Sequence, residues 1–145
     1  MNRKNNLQIN SQFKTSLTSS EKGNLYERCA RAYCRKKGFQ ILKQNLRVKN
    51  TEIDCLAWDS KRNIYIVIEV RGRCNRNYAP SKFLSPRKML KLRQFAVSLA
   101  QQKKSSVRIF LLEVIGPLPH AYLRWGIEYF PEKLGLCIMD YEIAN

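Results

Sequence analysis

Two runs, a short one of mixed apolar and polar positions from Glu52 to Trp58 and a largely apolar one from Ile64 to Arg71, flank the polar break Ser60-Lys61-Arg62-Asn63. Both predict β-strands, the second rich in β-branched and aromatic residues. Asn63 tolerates the left-handed backbone that a tight turn needs. If Ser60 faces Asn63, then Asp54 faces Glu69 and Glu52 faces Arg71. Side chains alternate between faces along a strand. One face of this hairpin then carries Ile53, Cys55, Ala57, Ile66, Ile68 and Val70. The other carries Leu56, Trp58, Tyr65 and Val67 near the turn, and Glu52, Asp54, Glu69 and Arg71 at the open end.

Helical periods lie on either side. Thr18 followed by Glu21 has capping-box spacing. A helix is expected from there to about Lys37, with Leu25, Cys29, Ala32 and Tyr33 as its apolar stripe and Gly38 as its stop. Glu27 falls off the centre of that stripe among Arg28, Arg31 and Arg35, where a surface pair with Arg31 would account for it. Phe39 to Val48 predicts a strand that leads through Lys49-Asn50 into the hairpin. Ser85-Pro86 supplies the cap and first residue of a second helix. That helix is expected to reach about Lys103, with Met89, Leu92, Ala96 and Leu99 inward and Arg87, Lys88 and Lys91 away from the stripe.

Val107 to Ile115 is apolar enough to sit mid-sheet beside the hairpin. Gly116 to Pro119 reads as a turn and Tyr122 to Phe130 as a returning strand. Lys133 to Asn145 stays open between helix, strand and tail. Residues 1–17 read as a disordered basic tail and residues 18–145 as a single domain. The order predicts an α/β fold, a mixed β-sheet with a central antiparallel hairpin flanked by helices.

Charge narrows the function. The 145-residue chain has a formal net charge of +16, which points to a polyanionic partner, nucleic acid being the commonest. Between Glu69 and Glu113 there is no acidic residue. The cations Arg71, Arg73, Arg76, Lys82, Arg87, Lys88, Lys91, Arg93, Lys103, Lys104 and Arg108 all fall there. A solvated face would normally mix both signs, so a phosphate-facing surface is favoured. Tyr78 and Phe83, in the basic loop 72–84, are available for stacking. No apolar run is long enough to span a bilayer and no signal peptide is recognisable, so no membrane partner is expected. The five cysteines are scattered singly and the lone histidine is His120. That argues against a disulfide framework and a zinc site, and for a cytoplasmic setting.

Opposed side chains on paired strands lie roughly 4.5–5.5 Å apart at Cβ. Asp54 and Glu69 at that spacing would repel, so a cation, a shared proton or a neighbouring base must offset the charge. A hard divalent cation such as Mg²⁺, which takes one or two carboxylates plus water and phosphate oxygens, is one reading. An ion-pair ladder with Glu52 and Arg71 is the other. The residues alone leave the two open.

An acid followed by Glu-x-Lys at a strand end is the signature of the PD-(D/E)XK nuclease superfamily. The chain resembles one branch of it, the YraN-like family of predicted endonucleases related to Holliday junction resolvases. The resemblance rests on Gly23-x-x-x-Glu27-x-x-Ala30, Gly38-Phe39, Asn45-x-Arg47, Glu52-Ile53-Asp54, Ile68-Glu69-Val70-Arg71-x-Arg73, Lys88 and Arg108. It implies a restriction-endonuclease-like core with Asp54, Glu69 and the Val70 carbonyl as ligands of Mg²⁺ or Mn²⁺, and Glu27 completing or flanking them. Glu27, Asp54, Glu69 and Arg71 would form the catalytic set. Arg47, Arg73, Arg76, Lys82, Arg87, Lys88 and Lys91 would hold nucleic acid. The implied activity is cleavage of branched or otherwise structured DNA, with roles in repair or recombination. A homodimer is also raised, because a four-way junction offers two symmetric cuts.

The sequence departs from the family pattern in four places. Arg71 stands where the motif has lysine, Thr51 at a turn glycine, Phe110 at an aspartate and Tyr26 at a small residue. Arginine cannot lose its proton as a lysine can. A catalytically inactive nucleic-acid-binding protein on the same fold is therefore the alternative expectation. A nucleic-acid-binding module without ancestral chemistry, tied to RNA, is a third.

Overall fold

The computed structural model describes residues 18–73, 84–117, 131 and 135–143. The expectations for residues 1–17, Cys74, Arg76, Tyr78, Lys82, Phe83, His120 and the strand at 122–130 lie outside these residues. The elements are α1 (Ser19–Lys36), β1 (Gln40–Val48), β2 (Thr51–Asp59), β3 (Ile64–Arg73), α2 (Pro86–Lys103), β4 (Val107–Ile115) and β5 (Cys137–Ile143). The strands form one mixed sheet in the order β1-β2-β3-β4-β5. Among the described strands only the β3–β4 pair is parallel, and α2 makes the crossover that a parallel pair requires. This is the expected α/β fold, with the geometry of a restriction-endonuclease-like core. Among the described residues no helix is long and apolar enough to cross a membrane.

Both helices start where the sequence says. Thr18 Oγ1 accepts from the Glu21 N–H at 3.1 Å, and Glu21 Oε1 accepts from the Thr18 N–H at 3.2 Å. This reciprocal pair satisfies two N–H groups that a bare helix end leaves open. Ser85 Oγ accepts from the Lys88 N–H at 3.2 Å, with Pro86 as the first helical residue. The chain leaves α1 through Gly38, at φ +89°, a region open to glycine without penalty.

The sheet is buried on both faces. Leu25, Cys29 and Cys34 of α1 pack on Cys55, Ala57, Ile66, Ile68 and Val114. Leu92, Ala96 and Leu99 of α2 pack on Leu56, Val67, Ile109 and Leu111. Cys29, Cys34 and Cys55 are buried thiols, and burial pushes Cys29 up to about 11, so it behaves as a small apolar side chain. The segment left open beyond Lys133 contributes β5. Asp140 fastens it to α1, accepting from the Tyr33 hydroxyl at 2.6 Å and from Lys37 Nζ at 2.7 Å.

The hairpin has the anticipated register: Cys55 faces Ile68, Leu56 faces Val67, Ala57 faces Ile66 and Trp58 faces Tyr65. Asn63 is left-handed at φ +53°. Asp59 fixes the turn by accepting from the Lys61 N–H at 3.0 Å and from Arg62 Nε at 2.6 Å. One side chain breaks the expected alternation. Ile53 lies with Leu46, Leu56 and Val67 beneath α2, whereas Cys55 lies beneath α1. Residues two apart on a regular strand share a face, so β2 is irregular at Asp54. On β1, Asn45 sits between the partners of Ile53 and Cys55 with φ +48°. Both strands therefore depart from the pleat at the same point and resume in register.

Candidate active site at the open end of the hairpin

The pairing of β2 with β3 runs only to Cys55 and Ile68. Beyond it, β3 continues alongside β4 as far as Arg73, and no strand among the described residues pairs with its other edge there. Tyr65 donates its N–H to the Ser106 carbonyl at 3.0 Å. Odd-numbered residues of β3 therefore turn their backbone groups towards β4, and even-numbered ones towards β2. Val70 faces the gap. Its N–H donates to Asp54 Oδ2 at 2.8 Å, where a continued ladder would offer a β2 carbonyl. A residue in an extended strand turns its N–H and C=O to the same side, so the Val70 carbonyl faces the gap as well.

Glu69 is 5% exposed, and its carboxylate feels the charge of the neighbouring Asp54. Burial, then the neighbouring Asp54 charge, pushes Glu69 up to about 7. Burial also raises Asp54, against the Val70 N–H and the Lys88 ammonium, which favour its charged form. The paired carboxylates anticipated from the register thus lie together, with burial raising both and the Lys88 ammonium favouring their charged forms. Among the described residues Glu69 Oε2 is buried without a hydrogen-bond partner, although Lys88 Nζ lies 3.4 Å away.

Lys88 was expected on the outer face of α2. Its Nζ instead donates to the Glu52 carbonyl at 2.6 Å, and only 21% of the side chain is exposed. Its long stem carries the ammonium back from the helix surface to the carboxylates. Arg71 approaches from the other side, with Nη2 at 3.5 Å from Glu69 Oε1 and 44% of the side chain exposed. Glu27, on α1, is held up near 7 by burial and by the Asp54 charge, with Arg31 opposing. The bland surface pairing expected of Glu27 is therefore only part of its setting.

The remaining basic candidates divide. Arg47 and Arg87 are exposed. Lys91 donates to the Asn50 carbonyl at 2.9 Å. Arg73 points inward, its Nη2 2.8 Å from Oε2 of the fully buried Glu113. Glu113 is a polar residue that sequence reasoning missed, and the only signal for it was one acid inside the apolar run of β4. Tyr26, also buried, lies flat on Gly72, where an added Cβ would overlap its ring. Phe110, at the aspartate position of the motif, packs into the core beneath α1.

Among the described residues no three His, Cys, Asp or Glu side chains converge as a metal-binding group. The donors at the gap are all oxygens: two carboxylates, one with an unbonded buried atom, and the Val70 carbonyl. That set fits a hard cation, which commonly takes one or two carboxylates and completes its shell with water and phosphate.

Residues 26–115 match the family described as "Uncharacterised protein family UPF0102". The matched span includes every side chain gathered at the gap. A UPF0102 protein of Aquifex aeolicus is 32% identical over 91 residues, which cover 63% of this chain and 84% of that protein. One from Flavobacterium johnsoniae is 37% identical over 71 residues, 48% of this chain and 56% of the relative. One from Desulforapulum autotrophicum is 32% identical over 93 residues, 63% of this chain and 65% of the relative. With its central ninety residues, from Tyr26 to Ile115, matching throughout, the chain belongs to the UPF0102 family.

Proposed function

We propose that this protein is a metal-dependent endonuclease that hydrolyses DNA phosphodiester bonds, with branched or otherwise structured DNA as its substrate. The observation that carries the reading is the Asp54–Glu69 pair at the point where the β2–β3 ladder opens. A buried carboxylate, Glu69, and a partly buried one, Asp54, meet there beside the Val70 backbone. A divalent cation between them would polarise the scissile phosphate and lower the pKa of an attacking water. Asp54 is held in place by the Val70 N–H. Lys88 offers an ammonium at the carboxylates, which the motif would place at position 71. Arg71, half-exposed beside Glu69, is available to a phosphate oxygen and can stabilise charge building on phosphorus. The +16 charge supports a polyanionic substrate, and shape recognition by a basic surface suits branched DNA.

One observation favours a second reading. Arg71 cannot act as a base, so a protein that binds structured DNA without cutting it is the alternative. The test is cleavage of a labelled panel of four-way junction, flap, duplex and single strand by wild type and Asp54→Asn, with Mg²⁺, Mn²⁺ or chelator. Metal-dependent cutting by wild type alone supports the nuclease. Tight junction binding without cutting by either supports the alternative, and Arg71→Lys then asks whether the chemistry can be restored.

A further inference from the structure

A concavity among the described residues differs in character from the carboxylate pair. It is a groove of about 810 Å³ between α2 and the face of the sheet where β1 and β2 meet. Its apolar lining includes Leu42, Leu46, Leu56, Phe95 and Leu99. Leu56 and Leu99 are buried, whereas Leu42 is 37% exposed. Leu42 is the extra residue where the β1–β2 register shifts between Ile41 and Lys43. Lys43, Lys49, Lys91 and Lys103 also line the groove, and no Asp or Glu does. Lys91 spans one end by bonding the Asn50 carbonyl.

An apolar interior with a one-signed margin rewards a ligand that combines apolar side chains with negative charge. Residues 1–17 and 74–83 carry arginine and lysine but no acid, Glu128 and Glu132 within 118–134 are balanced by Arg124 and Lys133, and a second copy would bring another +16. Duplex DNA has the charge, but its rigid backbone cannot deliver apolar groups to Leu56 and Leu99. We propose that the groove receives an acidic peptide segment of another protein, anchored by apolar side chains between α2 and β1. The volume is of the size that holds a compact ligand or a few side chains. The lysines steer the segment and set its salt dependence, and the apolar lining supplies specificity.

The experiment is fluorescence anisotropy on the full chain at about 0.15 M salt, where longer-range attraction is screened. The probe is a fluorescein-labelled octapeptide alternating aspartate with phenylalanine or leucine. Control peptides carry serine at the apolar positions or asparagine at the acidic ones. Short duplex DNA and vesicles of anionic phospholipid serve as competitors. The expected result is binding at least about tenfold tighter than either control peptide, since one decade is the smallest clear affinity step. Leu42→Asp and the double variant Lys43→Glu/Lys103→Glu, all at exposed positions, should each weaken the probe by a similar factor with unchanged thermal melts. Equal binding of the serine peptide would reduce the effect to net charge and overturn the proposal. So would variants without effect on the probe, or variants that weaken only DNA or only vesicle binding. If one variant fails to fold, the other carries the comparison.

Discussion

Asp54 Oδ2 accepts the backbone N–H of Val70 at 2.8 Å, one residue beyond the carboxylate of Glu69. A side chain here does what a ladder carbonyl would otherwise do. The hydrogen bond both holds the carboxylate in the sheet plane and keeps β2 from closing over the strand edge. Asp54→Asn keeps an oxygen for the Val70 N–H and removes the charge. Cleavage of junction DNA should fall by at least about a hundredfold, the range typical for loss of one transition-state group. Affinity should change little. Equal cleavage by the variant, read on a denaturing gel, would remove Asp54 from the chemistry.

Lys88→Ala separates two roles for one cation. A lysine on phosphate adds about one unit to the salt slope of DNA binding. Lys88 is instead committed to Glu52 and Glu69, so its removal should shift the slope by much less than one unit. Without the ammonium, Glu69 and Asp54 should hold their protons to higher pH. Measured slopes for wild type and variant decide the point, and a full unit of change would put Lys88 on the nucleic acid.

Glu27 and Glu69 lie near 7 in the fold against ordinary values of 4.5. A raised carboxyl pKa means that its stabilising contribution is complete while the proton is held and is lost as pH climbs from 4.5 through 7. The metal-free protein should therefore melt lower at pH 8 than at pH 5. Each kcal/mol lost corresponds to roughly 2–4 °C in a chain of this size. Glu69→Gln should flatten the profile. Asp59 and Asp140 are shifted downwards from 3.8 and act below this window. Parallel profiles for wild type and Glu69→Gln by calorimetry would contradict the burial argument.

Gly72 has no room for a methyl group because the Tyr26 ring occupies that space. Gly72→Ala should destabilise by about 1–3 kcal/mol through overpacking. In a Tyr26→Ala background the same change should cost far less, because the two residues meet. Denaturant melts of the four proteins in this cycle give the coupling. Additive effects would mean that the ring moves aside freely.

Arg73 faces the buried Glu113 at 2.8 Å. Removing one member of such a pair typically costs about 3–5 kcal/mol, because the other charge stays buried. Arg73→Met should thus show its main effect in thermal stability. If folding is intact and DNA affinity alone falls, Arg73 belongs to the binding surface.

The strands and caps were legible because their signals are local. The turn from Ser60 to Asn63 fixes the hairpin register, and Thr18, Gly38, Ser85 and Asn63 each do one backbone task that few residues do as well. The details of the candidate site were less legible. Nothing in the period-two pattern announces that Ile53 and Cys55 end on opposite faces, because the departure at Asp54 is matched by Asn45 on another strand. Lys88 is off the apolar stripe of α2, yet its stem returns the ammonium to the centre. Periodicity locates a Cα and not the end of a four-carbon chain. Glu113 and Arg73 meet across a parallel pair whose register depends on a crossover, which no local pattern encodes.

Among the described residues β1 is a terminal strand of the sheet. A terminal strand with regular backbone invites other chains to add on, and the result is polymerisation. Here the border is interrupted twice, by the extra residue Leu42 and by left-handed Asn45, and it carries Lys43 and Arg47. No flat six-residue template survives between these breaks. The same irregularities that accommodate Asp54 on the neighbouring strand therefore also guard the protein against self-association into fibres.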